Sequence, residues 1–275
     1  MKFFALHVRG VEEKRLDLLR SACHQIKIPF VPLDPTAFDF SKPSPVRKGD
    51  IVYRVSRGKM LRFFEDFLVR PGVVTFYSSQ YARKPHPFLL EKCGIPVPDN
   101  ILCVTNDRKQ LEQYVKKLGG FPVVLKALGG TRGMGVMKVD SMSSLISMAG
   151  FLLQQGKFFF LRKFLPVKSS ARFIVLGTKV VASLEYRATN GDFRTNSGNI
   201  LKVKQKKFPR DLEELAVLVT SAMGWEFGGV DVLVYQGKAY VSEVNFPCNF
   251  VRAQDASKKD IALMMVKYLA EKAKG

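Results

Sequence analysis

Two carboxylates and one side-chain amide lie in two strand-like segments between residues 230 and 245: Asp231, Glu243 and Asn245. A three-residue loop between the segments pairs Tyr235 with Ala239. Counting outward from that pair places Asp231 directly opposite Glu243. Asn245 lies two positions further along the strand and shares the face of Glu243. The hairpin therefore gathers two carboxylates and one amide oxygen.

Opposed carboxylates on neighbouring strands repel each other and weaken a hairpin. A divalent cation between them removes the repulsion, and two carboxylates with an amide oxygen suit Mg²⁺, with Mn²⁺ as the alternative ion. An acidic pair that faces solvent is the competing interpretation. Apolar neighbours such as Val230 and Val244 favour burial, and a buried carboxylate needs a partner.

The glycine-rich segment after Lys126 is a second candidate for chemistry. Four glycines follow this lysine within seven positions, 129–135, and a strand-like pattern resumes at residues 136–139. Glycine lets backbone N–H groups approach an anion closely, and Lys126 and Arg132 supply charge, so the segment suits phosphate. It is not a Walker A loop, because no Gly-Lys-Ser/Thr closes it, and it is a poor dinucleotide fingerprint, because no helix follows. A flexible hairpin without a ligand is the alternative.

Residues 172–187 predict a β-hairpin around a two-residue turn at Gly177 and Thr178. Regular alternation from this turn places Arg172 opposite Ser183 and gathers Arg172 and Arg187 on one face. Two arginines on one face suit an anionic ligand. A solvated polar face is the other interpretation of the same pattern.

The remaining sequence predicts the elements that must position these segments. Residues 3–33 show a strand, a helix and a strand, the opening of a parallel sheet. The predicted strands are 3–8, 30–33, 51–55, 73–76, 101–104, 123–125, 136–139, 158–164, 173–176, 179–184, 230–235 and 239–245, and the predicted helices are 12–26, 59–69, 88–93, 107–118, 143–153 and 212–223. The lysine-rich residues 197–210 predict a mobile basic loop, and Asp211 is the expected N-cap of the next helix.

The composition describes a globular chain with a large positive charge. Its 275 residues are 47% hydrophobic and 25% charged, and the formal net charge is +20. This charge favours acidic partners, namely a nucleotide, an acidic peptide, a nucleic acid or an anionic surface. Nucleic acid is less favoured, because Phe208 is the only aromatic residue in the basic segment 197–210.

The four cysteines show no C-x-x-C spacing, as expected for free thiols in a reducing compartment. No apolar run suits a signal peptide or a membrane span. We therefore expect a cytoplasmic protein.

Taken together, these motifs resemble those of the ATP-grasp superfamily, and most closely its RimK-like group of ribosomal-protein glutamate ligases. The likeness runs from about Pro85 to the C-terminus. The family's lysine strand with glycine-rich lid, its substrate-side arginine motif and its metal ligands are similar to residues 121–135, 191–196, 229–231 and 243–245. The resemblance implies an α/β (α+β) class, an ATP-grasp fold with an N-terminal Rossmann-like pre-ATP-grasp domain. The implied domains are residues 1–84, residues 85–165 with the lid, and residues 166–275 with the metal site.

The resemblance also implies an ATP-dependent carboxylate–amine ligase. In this reaction a substrate carboxylate attacks the γ-phosphate of ATP, and an amine then displaces phosphate from the acylphosphate to form an amide. The residues implied to contact ATP are Lys126, Gly130, Thr131, Arg132, Gly133, Gly135, Lys163 and Phe164. Asp231, Glu243 and Asn245 would bind Mg²⁺. Arg194 and Arg172 would steady the transferred phosphoryl group, and glutamate or an acidic peptide is the expected substrate.

Three departures from the family pattern keep a second class of function open. The hinge strand ends in Arg162 and Lys163 where the family has Gln-Glu or Glu-Glu, Ser170 replaces a ribose-binding aspartate, and the turn after the metal-binding asparagine differs. A nucleotide-binding or nucleic-acid-binding relative without catalysis is therefore the alternative, although the intact metal ligands favour the ligase. Arg83 or Lys84 stands near the family's first nucleotide lysine. A homo-oligomer is compatible with the sequence, which fixes no oligomeric state.

Overall fold

Three β-sheets with helices packed against them make up the described part of the chain. The computed structural model describes residues 1–79, 85–128, 135–188, 192–194 and 202–275. Within these residues, no helix has the length and apolar character needed to cross a lipid bilayer. The mixed helix-and-strand class expected from the sequence is confirmed.

The N-terminal part forms a parallel sheet. Its elements are β1 (Phe3–Leu6), α1 (Glu13–Gln25), β2 (Phe30–Leu33), β3 (Ile51–Arg54) and α2 (Lys59–Leu68). The strand order is β2-β1-β3, so β2 and β3 lie on opposite sides of the central strand β1. The carboxyl ends of β1 and β3 therefore meet at a topological switch point, where open parallel sheets commonly bind ligands. The predicted strand 73–76 is reduced to an isolated bridge between Val74 and Ile51.

The second sheet is antiparallel and carries the lysine strand. Helix α3 (Pro87–Lys92) precedes it, and its elements are β4 (Asn100–Cys103), α4 (Arg108–Lys117), β5 (Val123–Ala127), β6 (Val136–Val139), α5 (Met142–Gln154) and β7 (Phe159–Lys163). The strand order is β4-β7-β5-β6. On one face, Leu125 and Leu161 belong to the same core as Leu111 of α4 and Leu145 of α5. Because side chains alternate along a strand, Lys126 lies on the opposite face.

The third sheet is also antiparallel and carries the acidic hairpin, the pair of strands that contain Asp231 and Glu243. Its elements are β8 (Ser169–Leu176), β9 (Lys179–Arg187), β10 (Lys202–Gln205), α6 (Arg210–Ala222), β11 (Phe227–Tyr235), β12 (Lys238–Asn245), α7 (Val251–Ser257) and α8 (Ile261–Lys272). The strand order is β10-β9-β8-β11-β12. This order brings β8 next to β11, so the predicted arginine hairpin and the predicted acidic hairpin share one sheet.

Strand β10 corrects the prediction of a loop over the whole of residues 197–210. It pairs with β9, with Val203 opposite Tyr186 and Lys204 opposite Glu185. Val203 packs against the core, whereas its lysine neighbours are exposed. The sequence did not reveal the strand because a single apolar side chain in four residues is too weak an alternation.

The predicted N-cap at Asp211 is wrong. Helix α6 begins at Arg210, and Pro209 is the N-cap residue, with no side-chain cap. Asp211 lies in the first helical turn, where its negative charge interacts favourably with the helix dipole. The helices predicted at other positions are present, with ends moved by a residue or two.

Aromatic rings join the first and third sheets into one core. Tyr53 of β3 packs edge-to-face on Phe76 at a centroid distance of 5.4 Å, and Phe76 lies 5.1 Å from Phe227 of β11. Tyr268 of α8 stacks on Phe76 at 6.2 Å. The second sheet has a hydrophobic core of its own. Each predicted domain contains one of the sheets; the domain boundaries stay a prediction, and residues 80–84 lie outside the described ranges.

Truncating Phe76 to alanine should destabilise the protein strongly, because the ring is 1% exposed and contacts both joined sheets. We expect the free energy of unfolding to fall by about 3–5 kcal/mol. The matched control is Phe63→Ala, since this ring is 74% exposed, and it should change the same quantity by less than about 0.5 kcal/mol. Urea denaturation followed by circular dichroism measures both, and similar losses would contradict the shared core.

Candidate active site

The turn between β11 and β12 is shorter than the sequence suggested. Tyr235 pairs with Lys238, so the loop consists of Gln236 and Gly237 alone. Both residues have positive φ, 50° and 73°, as a type I′ turn requires. The predicted three-residue loop is therefore wrong, and by itself this change would shift the register of the hairpin by one residue.

A β-bulge restores the predicted alignment of the acidic residues. Ser242 is the extra residue in β12, and beyond it Asp231 pairs with Glu243 as the sequence predicted. Asn245 pairs with Gly229 at the end of the ladder. The two carboxylates and the amide are thus brought together, by a two-residue turn and a bulge rather than by a three-residue turn.

Arg172 is the principal partner of Asp231. The two residues lie opposite each other on β8 and β11, and both are buried. Nη1 of Arg172 donates to Oδ1 and Oδ2 of Asp231 at 2.9 and 2.8 Å. Burial opposes the charge on the guanidinium, but the Asp231 carboxylate outweighs burial and raises the pKa of Arg172. The pair fixes the orientation of the Asp231 carboxylate.

The predicted face shared by Arg172 and Arg187 is wrong. A bulge in the β8–β9 ladder places Arg172 opposite Leu184 instead of Ser183. Because one residue of slip exchanges the two faces of a strand, Arg187 lies on the other face, where its Nε donates to Glu185 at 2.7 Å. Arg172 alone of these two arginines reaches the acidic hairpin.

Arg57 also contacts the acidic hairpin, and no motif of the sequence predicted this contact. It follows β3 in the first sheet, yet its Nη2 donates to Oδ1 of Asn245. Its Nη1 lies 3.6 Å from Oε1 of Glu243. The contact spans 188 residues of sequence, so no local pattern could have signalled it.

The second sheet contributes two cations to the same location, Lys126 and Arg162. Arg162 donates from Nε to Oδ1 of Asn100 at 2.7 Å and from Nη1 to the bulged Ser242 carbonyl at 3.2 Å. Burial lowers the pKa of Arg162 to about 10. Burial and the neighbouring Arg162 also lower the pKa of Lys126, while Glu243 and Asp231 partly offset that effect. Two neighbouring cations that are largely shielded from solvent form a site suited to an anion.

A signal for Arg162 was present in the sequence. An arginine inside the apolar strand 158–164 is unusual, because a buried guanidinium needs hydrogen-bond partners. The family resemblance marks it only as a departure from the hinge pattern. In the structure it links β7 to β12, and so the second sheet to the third.

The two predicted hinge contacts, Lys163 and Phe164, lie at and just beyond the end of β7. The backbone N–H of Lys163 donates to the Asp99 carbonyl at 3.0 Å, and its Nζ lies 3.6 Å from the Asp99 carboxylate. The Phe164 ring packs edge-to-face on Phe193 at 6.2 Å, with Nζ of Lys138 5.3 Å from its centre. These contacts place an aromatic side chain and two lysines around the hinge; their role toward adenine stays a prediction.

Arg194 belongs to the short described stretch 192–194. Its Nε and Nη2 donate to the Asp192 carboxylate, the latter at 2.9 Å. Its guanidinium lies 6.0 Å from the centre of Phe193, which in turn packs on Phe164. Arg194 is therefore linked to the end of β7 through the aromatic pair Phe193 and Phe164.

Part of the predicted phosphate site lies outside the described residues: Gly130, Thr131, Arg132 and Gly133, together with Arg83 and Lys84. Gly135 is described and closes the base of the hairpin. Its carbonyl accepts from the Ala127 N–H at 2.8 Å, and its φ of +79° favours glycine.

The converging side chains carry an excess of positive charge. The cations are Arg57, Lys126, Arg162 and Arg172, and the acids are Asp231 and Glu243. No set of three or more histidine, cysteine or acidic residues placed for a metal ion occurs in the described residues. Mg²⁺ does not require such a set, since it commonly takes one or two carboxylates and completes its shell with water and phosphate oxygens. The two acids with the Asn245 oxygen fit a magnesium ion that arrives with a polyphosphate.

Comparison with known proteins agrees with this geometry. Residues 84–269 match the model of the RimK-like ATP-grasp domain. The chain belongs to the RimK-like ATP-grasp family. It is accordingly an ATP-dependent carboxylate–amine ligase, as the sequence resemblance implied.

Two curated relatives and one solved structure illustrate the likeness. The chain is 28% identical to probable alpha-L-glutamate ligase 2 of Pseudoalteromonas atlantica, over 79% of this chain and 80% of that protein. It is 28% identical to a probable alpha-L-glutamate ligase of Nitrosococcus oceani, over 98% and 90%. The ATP-grasp ligase PsnB, solved with minimal precursor, Mg and ADP, superposes with a TM-score of 0.74 at 14% identity, covering 98% of this chain and 97% of that one. At this identity, the superposition supports the ATP-grasp fold alone.

Replacing Gly229 by alanine should disturb the site, because a methyl group there would lie 2.5 Å from Nη2 of Arg172 and 2.9 Å from Cβ of Cys248. We expect a loss of about 1–3 kcal/mol in unfolding free energy. ADP affinity in the presence of Mg²⁺ should fall as well, since the guanidinium that holds Asp231 must move. Urea denaturation and isothermal titration calorimetry measure the two effects.

The control is Gly228→Ala, where the added methyl would first meet the Thr220 methyl at 3.1 Å. This variant should lose stability without a comparable loss of ADP affinity. Equal losses of affinity in the two variants would show that the Arg172 contact is not what matters at Gly229.

Proposed function

We propose that the chain binds Mg²⁺ and ATP where its three sheets converge, and that it activates a substrate carboxylate as an acylphosphate. An amine then displaces phosphate and forms an amide. The observation that carries this proposal is the convergence of Lys126 and Arg162 on the paired Asp231 and Glu243. Such a site offers cations to phosphate oxygens and hard oxygen ligands to a divalent metal in the same small volume.

The metal would be held by Asp231, Glu243 and Asn245, as Mg²⁺ or alternatively Mn²⁺. When bound, it would supply charge neutralisation for the phosphate oxygens during phosphoryl transfer. The ATP-grasp ligase PsnB, which shares the fold, was solved with Mg and ADP, and a magnesium–nucleotide complex is therefore the ligand we propose for this chain. Arg172 holds the Asp231 carboxylate in place with two hydrogen bonds, and so acts on the metal site through that carboxylate.

The phosphates would be bound by Lys126, Arg162 and the glycine-rich segment. Lys126 lies on the face of its sheet that is directed away from the hydrophobic core. Arg162 adds a rigid donor group, because Asn100 and the Ser242 carbonyl hold its guanidinium. A preorganised cation needs little rearrangement when the triphosphate binds. This favours tight binding of the phosphoryl group in the transition state of its transfer.

The substrate would be glutamate or an acidic peptide. The net charge of +20 favours acidic partners, and both curated relatives described above bear the name probable alpha-L-glutamate ligase. Arg194 would steady the transferred phosphoryl group on the substrate side. We do not favour a nucleotide-binding or nucleic-acid-binding function without catalysis, because both carboxylates of the candidate metal site are present and paired.

Replacing Glu243 by alanine should abolish ADP release that depends on Mg²⁺, because the variant loses one of two metal-binding carboxylates. The assay follows ADP while single amino acids and acidic peptides are screened as substrates. The control is Glu214→Ala, which removes an exposed carboxylate paired with Arg210 on α6 and should leave the rate unchanged. An undiminished rate in Glu243→Ala would remove this residue from the metal site.

Replacing Arg194 by alanine should reduce turnover far more than ATP binding. A donor that acts on the transferred group typically contributes about 10²–10³-fold in kcat. We expect a loss of that order with an ADP dissociation constant within about twofold of wild type, measured by calorimetry and steady-state kinetics. Arg210→Ala is the control for a lost surface arginine. Wild-type turnover in Arg194→Ala would exclude it from the reaction.

A further inference from the structure

Helix α2 presents an exposed apolar patch to solvent, beside the stripe of residues that it buries. Met60, Phe63 and Phe67 of this helix are 47%, 74% and 38% exposed, and Phe40 of the loop between β2 and β3 is 50% exposed. The spacing of the three helical residues places their side chains on one stripe of α2. These four residues form the α2 patch.

Aromatic packing holds the α2 patch in a fixed arrangement. The Phe40 ring packs edge-to-face on Phe67 at a centroid distance of 5.3 Å and on the buried Phe64 at 5.5 Å. Phe38 contacts Phe40 at 5.0 Å and Phe64 at 4.9 Å, and so continues the cluster toward the core. Because these rings already have fixed positions, a partner that covers them orders few side chains on binding.

The α2 patch is large for the surface of a monomer. From the exposed fractions, and with about 200 Å² for a whole aromatic side chain, the four residues present about 400 Å² of apolar surface. A single exposed aromatic ring needs no explanation, but a contiguous patch of this size commonly marks an interaction surface. Weak interfaces bury up to about 600 Å² on each partner, so the patch and its charged rim together suffice for one.

The rim of the α2 patch carries charges of both signs, although the net charge of the chain is +20. On the solvent side of the helix, Asp66 pairs with Arg62 at 3.3 Å, and Lys59 is exposed one turn before. On the loop side, Lys42 lies 3.4 Å from Asp39. An acidic macromolecule or an anionic membrane would favour a uniformly basic rim. The mixed rim fits a partner with a similar mixture of charges.

A second copy of this chain presents that mixture in the arrangement required. If two α2 helices pack antiparallel around a twofold axis near Phe63, Met60 of each copy lies against Phe67 of the other. Lys59 and Asp66 lie on the same flank of the helix, seven residues apart. The twofold axis keeps that flank together and reverses the direction of the helix, so each Lys59 meets the Asp66 of the other copy. Two ion pairs of opposite charge then border the apolar contact.

We propose that the α2 patch is a homodimer interface, in which α2 packs antiparallel on the α2 of a second copy. The dimer is weak, with a Kd of about 20 µM, because the patch lies at the low end of interface sizes. At about 1 µM the chain is therefore monomeric, and truncation of the exposed Phe63 leaves the unfolding free energy nearly unchanged there. The interface lies on the N-terminal part and is independent of the proposed metal site.

The first test is sedimentation velocity of the full chain between about 1 and 200 µM, a range that brackets the expected Kd. Wild type should change from monomer to dimer across this range. Phe63→Glu should stay monomeric, with association at least about tenfold weaker, because its carboxylate would be buried without a partner at the centre of the interface. The matched control is Phe151→Glu, since Phe151 is 63% exposed on α5, and it should dimerise as wild type does. Circular dichroism checks that both variants fold.

The second test reverses charges in the rim. Lys59→Glu alone and Asp66→Lys alone place like charges across the twofold axis, and each should weaken the dimer about tenfold. An equimolar mixture of the two variants should associate about as tightly as wild type, because Glu at 59 then meets Lys at 66 and Lys59 meets Asp66. Recovery in the mixture is specific to antiparallel pairing, since a parallel pair would oppose residue 59 to residue 59.

The outcomes decide the matter in either direction. A wild type that is still monomeric at about 200 µM overturns the proposal, and wild-type binding to phosphatidylserine vesicles that is lost in Phe63→Glu would then assign the patch to a membrane. A dimer that persists in Phe63→Glu overturns it as well, because the contact then lies elsewhere. Failure of the charge-reversed mixture to associate overturns the antiparallel arrangement. Loss of association in Phe63→Glu, with recovery in the mixture, establishes the interface.

Discussion

The buried ion pair between Arg172 and Asp231 is the interaction on which the geometry of the site depends. Both side chains lie in the interior of the third sheet, on adjacent strands, and the loss of either would deprive the other of a buried, hydrogen-bonded partner of opposite charge. Losing one partner of such a pair typically costs about 3–5 kcal/mol. The pair also explains why residue 229 is glycine, since the guanidinium lies where a side chain would otherwise project. The ion pair therefore fixes the Asp231 carboxylate, and it holds the acidic hairpin in position against β8.

Around that carboxylate, each sheet supplies at least one cation. Arg57 comes from the first sheet, Lys126 and Arg162 come from the second, and Arg172 comes from the third. None of the sheets could form the site alone, because Arg57 of the first sheet and Arg162 of the second contact oxygen atoms of the third. Among these described side chains, the four cations outnumber the two acids Asp231 and Glu243. The cluster is thus a product of how the sheets are assembled, rather than of a single loop.

The sequence predicted the elements more reliably than the contacts between them. Alternation of apolar and polar residues located β11 and β12 and aligned Asp231 with Glu243. It could not predict the two-residue turn, because Gln236 adopts a positive φ that its residue type does not indicate. It also could not predict the bulge at Ser242, which corrects the register through contacts with other strands. Arg57 and Arg162 were missed because their partners lie 188 and 80 residues away along the chain.

The two edges of the third sheet are protected in different ways. At β12, the Val241 N–H donates to the Pro96 carbonyl at 2.7 Å, so a neighbouring segment covers part of that edge. At β10, exposed lysines alternate along the outermost described strand, at Lys202 and Lys204. Open strand edges invite pairing between molecules, and lysine on an edge strand opposes it. If two copies met edge to edge, like charges would face each other across the new ladder. The positive charge that favours an acidic substrate therefore also acts against self-association through this sheet.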